Sequence, residues 1–247
     1  MRLPPKPESR PQVAIVIDDL GLDWARFRST NRLPIPVTLA FLPYGPDAQA
    51  MVNASDPRHE VMLHLPMEPH RRKHDAGPDR VPAYGQHAIE GALATNLSKL
   101  SGYRGVNNHT GSLVTETRAA METVLTELDE AGLYFLDSRT SIHSVAVPAG
   151  RTTGATVLEA DLFLDGNFGR GGVAHVTRQL EILAATARAQ GSAIAIGHPY
   201  PETLEALNAW AASEEGQGFR FVTTGELAGP PAPQQTPRLR NRPDLRG

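Results

Sequence analysis

The stretch that leaves this chain the fewest folding choices is Val13-Ala-Ile-Val-Ile17, five apolar residues, four of them β-branched, which ends in Asp18, Asp19 and then Gly21. A run this short, bounded by a turn residue, reads as a strand buried on both faces rather than as a helix. Its C-terminal edge is therefore charged. Side chains alternate along a strand, so Asp18 and Asp19 are expected to point to different sides and to serve different purposes. The plain alternative is a strand-to-helix turn in which Asp19 caps the next helix.

The same design recurs along the chain. After a short helix over 22–32 come a strand at Val37–Pro43, a helix at Pro46–Ser55 and a strand from Glu60 that again finishes in polar residues, His64 and Glu68. The charged, Gly- and Pro-containing stretch His70–His87 is a loop of the size usually kept for function or disorder, expected to lie over one mouth of the fold. A helix at Ala88–Leu100 and a strand edge at Gly105–Ser112, carrying His109, follow. Thr117–Ala131 is the plainest helix, because Met121, Val124, Leu125 and Leu128 fall at i, i+3, i+4 and i+7 before Gly132. Apolar runs then end at Asp137 and Arg139, at Asp165 and at His198, with a helix bearing Val176, Leu180 and Leu183 before the last. A helix at Pro201–Ala211 and a strand at Phe219–Val222 complete the pattern.

Seven or eight short strands alternating with helices predict a parallel α/β fold. Where the polar residues fall separates a barrel from an open sheet. Six strands carry them at or just past their C-terminal ends, which is where a (β/α) barrel gathers its site, whereas an open sheet would unite only those beside a switch point. A (β/α) barrel is the expectation.

Charge narrows the partners. Residues 1–12 hold four prolines and a net charge of +2, residues 228–247 five prolines and +3, and both read as linkers around a folded part at 13–227. With the whole chain at −3, that folded part carries −8, which argues against nucleic acid. No apolar stretch is long enough for a membrane span. Cysteine is absent, so any metal must sit on His, Asp or Glu.

Taken as one site, histidines and carboxylates without cysteine describe a catalytic metal centre, Zn2+ first, with Mn2+, Co2+ or Ni2+ as equivalents. Such an ion activates water and polarises a carbonyl, and the chemistry also needs a base and an acid, for which a leftover Asp and a leftover His suffice. Each residue has a plainer role open to it: His64 and His198 could be polar strand ends, Glu68 a cap partner, Asp137 and Arg139 an ion pair. His59, His70, His74, His87, His143 and His175 are read as loop or surface residues without chemistry.

The segments Ile17–Gly21, His59–Pro69, Gly105–Ser112, Phe135–Thr140, Asp161–Asp165 and Ala195–Leu204 together resemble the divergent polysaccharide deacetylases, a branch of the NodB-like carbohydrate esterase superfamily. The resemblance implies a distorted (β/α) barrel and hydrolysis of acetyl groups on a polysaccharide. It implies Asp18 as general base, Asp19 as metal ligand, His64 as the first of two metal histidines four apart, and His198 as general acid. The second of those positions is Glu68 here, so the resemblance leaves either Glu68 or His109 to complete the metal set. Asp137 and Arg139 resemble the groups that orient base and acid. Two other readings stand beside it: a non-catalytic glycan-binding or envelope-assembly protein, and a metal-free glycoside hydrolase pairing Asp18 or Asp19 with Asp137 or Asp165. The family also implies a periplasmic or envelope location.

Overall fold

The computed structural model describes residues 10–71, 76–166 and 171–230. Most of the two Pro-rich segments, and with them His74, lie outside the described residues. Inside them the folded part begins with Gln12 already in a strand and ends with a helix that closes at Ala228.

Nine strands are described: β1 (Gln12–Leu20), β2 (Thr38–Phe41), β3 (Glu60–Met67), β4 (Gly105–Thr110), β5 (Tyr134–Asp137), β6 (Val157–Glu159), β7 (Leu162–Phe163), β8 (Ser192–Gly197) and β9 (Arg220–Val222). Between and after them lie α1 (Trp24–Thr30), α2 (Ala48–Asn53), α3 (Gln86–Leu97), α4 (Ser112–Glu116), α5 (Arg118–Glu130), α6 (Ala146–Thr153), α7 (Gly172–Gln190), α8 (Pro201–Ala212), α9 (Glu214–Gln217) and α10 (Thr224–Ala228). Every strand pair is parallel, in the order β6-β5-β4-β3-β2-β1-β8-β7. The sheet curls into a half-barrel whose terminal strands β6 and β7 do not pair. β8 occupies one edge of β1 along Gln12–Ile17, so β9, which pairs Gln12–Ala14, shares the other edge with β2.

Strand alternation divides the interior. Val13, Ile15 and Ile17 of β1 join Leu39, Leu65, Val106 and Phe135 in the large core beneath the helices. There α5 buries Met121, Val124, Leu125 and Leu128, as its period predicts. The intervening residues face the lumen and are stacked in three layers. At the bottom Tyr134 Oη bonds Glu60 Oε1 at 2.9 Å and Thr224 Oγ1 at 2.6 Å, and Thr224 meets Thr38 at 2.9 Å. The Tyr134 ring fills the space a side chain at position 105 would need, since a Cβ there would stand 2.3 Å from it, so Gly105 is required by close approach. Above lies a dry layer of Ala14, Val16, Ala40, Met62, Leu136, Ile194 and Ile196. The next step up each row is polar: Asp18 after Val16, His64 after Met62, Ser138 after Leu136, His198 after Ile196.

Several details differ from the sequence reading. α6 and β6 were not expected: α6 contains Pro148 and Gly150, which weaken any helical signal, and β6 is only three residues long. His59, expected at the surface, is buried, with Nδ1 accepting from Val37 N at 3.3 Å and Nε2 near Asn31 O at 3.2 Å.

Candidate metal centre

Asp18 and Asp19 do not diverge as simple alternation requires. Asp19 has φ +58°, and the β1–β2 register slips between Ile17 and Leu20, so the strand kinks at the pair. Aspartate tolerates the left-handed region better than most side chains, and such irregularities gather at functional sites. Both carboxylates consequently face His64 Nε2, Asp18 Oδ2 at 3.6 Å and Asp19 Oδ1 at 3.4 Å. Thr110 and Arg139, on the neighbouring strand ends, share this φ of +55°.

His64 and Asn107 are register partners on β3 and β4, which sets their side chains next to each other on the lumen face. His109, two residues beyond Asn107, projects from the same face one pleat higher. Its Nδ1 lies 3.2 Å from His64 Nε2 and 3.3 Å from Asp19 Oδ1. Among the described residues, Asp19, His64 and His109 are the three whose donor atoms converge in the manner of metal ligands.

Two observations test whether an ion fits. A tetrahedral Zn2+ with bonds of about 2.0–2.1 Å holds its ligand atoms about 3.3–3.4 Å apart. The three separations here, 3.2, 3.3 and 3.4 Å, match that spacing. Asp19 Oδ1, one corner of the triangle, is also buried and meets no group in hydrogen-bond geometry, an acceptor left for a ligand to satisfy.

Glu68 does not join this set. The family spacing of two ligands four residues apart suits a turn or helix, but β3 stays extended through Met67, and four residues of strand carry Glu68 roughly 13 Å along the chain. Its carboxylate accepts from Ala83 N at 3.0 Å, and its backbone N–H donates to Val81 O, where Val81 forms a parallel bridge with Met67 at the end of β3.

Groups around the triangle are held from behind. Asn107 Nδ2 donates to Asp18 Oδ1 at 2.8 Å and lies 3.3 Å from Ser138 Oγ, while Asn107 Oδ1 meets His64 Nδ1 at 2.8 Å. Asp165 takes the His198 backbone N–H at 2.7 Å, His198 Nδ1 at 2.8 Å and Thr203 Oγ1 at 2.7 Å. His198 Nε2 is thereby turned toward Asp19 Oδ2, 3.8 Å away.

Asp137 and Arg139 do neither of the orienting jobs expected of them. Asp137 is buried, accepting from Arg139 N and Ser144 Oγ, and the Arg139 guanidinium pairs with Glu159 at the rim. Asn107 and Asp165 stand behind Asp18 and His198 instead. Asp165 was visible as a strand-end carboxylate, but Asn107 carries no signal until the β3–β4 register is known.

Electrostatics separates the two aspartates. Burial pushes the Asp18 carboxyl above the usual range, against the pull of His64 and His198. Burial acts on Asp19 too, but the His109 and His64 rings facing it bring it well below that range. For His64 burial favours the neutral ring, and the two aspartates with Asn107 outweigh it, a net rise. Burial also opposes the charged form of His198, but Asp165, Asp18 and Asp19 raise it to about 9.

Two clefts open among the neighbouring strand-end residues, and Asp19, His64 and His109 line neither. One, of about 420 Å³, is lined by His70, Thr110, Ser112, Glu116 and Ser141 on the His109 side. The other, of about 400 Å³, is lined by Arg139, Ile142, Glu159, Leu162 and Phe163, whose ring stacks on His198 at 6.4 Å.

An all-parallel half-barrel with this pattern of strand-end acids and histidines is a NodB-like fold. The family profile of the divergent polysaccharide deacetylases matches residues 15–228, and the chain belongs to that family. YibQ of Escherichia coli K12, described as uncharacterized, is 34% identical over 197 residues, 79% of this chain and 61% of YibQ, so the chain spans about three fifths of that relative. The crystal structure of ATU2773 from Agrobacterium tumefaciens C58, also uncharacterized, is similar at a TM-score of 0.83 and 29% identity, covering 91% of this chain and 92% of that one. The catalytic domain of a peptidoglycan N-acetylglucosamine deacetylase from Eubacterium rectale ATCC 33656 shares the fold at a TM-score of 0.55 and 13% identity, covering 91% and 93%.

Proposed function

We propose that this protein is a metal-dependent hydrolase that removes acetyl groups from a polysaccharide, with Asp19, His64 and His109 holding the divalent cation, Zn2+ or one of Mn2+, Co2+ and Ni2+. The observation that carries the reading is the triangle of donor atoms at tetrahedral spacing, one corner of which, Asp19 Oδ1, is a buried acceptor without a hydrogen-bond partner. When bound, the ion supplies a Lewis acid that acidifies water and polarises the acetyl carbonyl.

The remaining residues divide the proton work. Asp18, buried beside His64 and held by Asn107, accepts a proton from the attacking water, a task its raised pKa favours. His198, protonated at neutral pH, gives a proton to the leaving amine or alkoxide as the acyl C–N or C–O bond breaks, releasing acetate. Asp165 keeps that proton on Nε2, aimed at the centre.

A glycan substrate is supported by family membership, by the fold shared with the Eubacterium rectale domain and by clefts at the neighbouring strand ends. An acetylated envelope glycan, met in the periplasm or at the cell envelope, is the natural choice on this reading.

The test is acetate release from acetylated chito-oligosaccharides and acetylated xylan by chelated and by Zn2+-reconstituted protein. Activity should require the ion, and Asp18→Asn should lower it by about 10²–10⁴-fold. Chelator-insensitive cleavage of the sugar chain would favour the glycosidase reading. Tight glycan binding without acetate release from Zn2+-loaded protein would favour a non-catalytic role.

A further inference from the structure

Asn107 is a fully buried amide at the one place where base and ligand set meet. An amide has an acceptor end and a donor end. Its donor end faces two oxygens, Asp18 Oδ1 at 2.8 Å and Ser138 Oγ at 3.3 Å, and an ionised carboxylate can only accept. The acceptor end must then face His64 Nδ1, 2.8 Å away, and that nitrogen must carry the proton. His64 Nε2 is left as a bare lone pair directed at Asp19 and His109. Turned over, the same amide would place its NH2 on His64 Nδ1, force the proton onto Nε2, and withdraw the donor from Asp18. One side chain thus satisfies both requirements of the centre, and one flip would defeat both.

We propose that Asn107 is the positioning residue that presets the centre, fixing the His64 tautomer with its acceptor end and aiming the Asp18 carboxylate with its donor end. The inference rests on the reading of Asp19, His64 and His109 as a cation site. It adds a residue to which neither composition nor spacing pointed. Groups that orient a ligating imidazole through its second nitrogen commonly affect metal affinity by about 10–100-fold.

The two ends of the amide can be tested separately. Asn107→Asp keeps an acceptor for His64 at nearly the same shape but loses the donor toward Asp18, whereas Asn107→Leu loses both. Zn2+ affinity by isothermal titration and the visible absorption of bound Co2+ are read first, independently of turnover. Asn107→Leu should bind Zn2+ about 10–100-fold more weakly with an altered Co2+ spectrum. Asn107→Asp should bind Zn2+ at least as well as wild type, while kcat on acetylated chito-oligosaccharide falls by about 10²-fold or more at unchanged KM.

The proposal is overturned if Asn107→Leu keeps wild-type Zn2+ affinity and Co2+ spectrum, or if Asn107→Asp loses affinity as Asn107→Leu does. If a variant does not fold, ¹⁵N spectra of metal-free wild type at alkaline pH decide: neutral His64 protonated on Nδ1 supports the assignment, and on Nε2 overturns it. Wild type that takes up neither Zn2+ nor Co2+ removes the cation reading itself, and Asn107's role with it; Asn107 fails alone when wild type binds the ion.

Discussion

Whether the third ligand is His109 or Glu68 can be decided by comparing how Zn2+ stabilises two single variants. His109 Nδ1 stands 3.2 and 3.3 Å from the other two donor atoms, while the Glu68 carboxylate is committed to Ala83 N at 3.0 Å. Free Zn2+ at about 100 times its Kd stabilises a protein that binds it only when folded by about 2.7 kcal/mol. For a chain of this size each kcal/mol moves Tm by about 2–4 °C, so wild type should gain roughly 5–11 °C in differential scanning fluorimetry. His109→Ala removes one of the three donors and should show almost none of this gain at the same Zn2+ concentration. Glu68→Ala should keep the whole gain, measured from a baseline lowered by about 1–3 kcal/mol because the part-buried Ala83 N–H loses its acceptor. A Glu68→Ala variant blind to Zn2+ beside a His109→Ala variant that still responds would refute the geometry.

Two further outcomes follow from groups remote from the centre. His59 accepts from Val37 N through Nδ1, and burial lowers its pKa below 6.5 despite the opposing pull of Asn31 O and Asp56. The unfolded chain therefore takes the proton first, so this contribution is complete above about pH 6.5 and is lost as pH falls toward the folded pKa. Urea midpoints at pH 7.5 and 5.5 should differ less in His59→Gln than in wild type, and an unchanged difference would count against it. At the bottom of the barrel, Tyr134→Phe strips a donor from Glu60 Oε1 and a partner from Thr224, and should cost about 1–3 kcal/mol in urea unfolding without changing Zn2+ affinity. A loss under about 0.5 kcal/mol would mean that water replaces the hydroxyl.

Much of the architecture could be read before any coordinates. Runs such as Val13–Ile17 and Ser192–Gly197 point to buried parallel strands because they are short, apolar and bounded by turn or polar residues, and the 3.6-residue period of α5 needs no tertiary context. The collection of acids and histidines at strand ends was equally plain. What escaped depends on relations between strands. The choice between His109 and Glu68 turns on β3 remaining extended through Met67, a fact of backbone geometry that spacing does not disclose. Asn107 matters because it lies opposite His64, and Arg139 was misread because its partner, Glu159, belongs to a strand too short to predict. The kink at Asp19 has the same character, since alternation forecasts divergence and only the left-handed φ brings the two carboxylates together.

The dry layer between the Glu60–Tyr134 plug and the mouth has a consequence for how protons travel. Ala14, Val16, Ala40 and Leu136 offer no side-chain donor or acceptor and Met62 only a weak thioether acceptor, so these side chains build no relay through the shaft to the opposite end. On the proposed mechanism, protons that Asp18 collects or His198 gives up would be exchanged at the mouth, on the side where a ligand would sit. A bound chain would therefore stopper its own exchange with bulk water, and turnover would become sensitive to solvent isotope and buffer in proportion to how fully the mouth is covered.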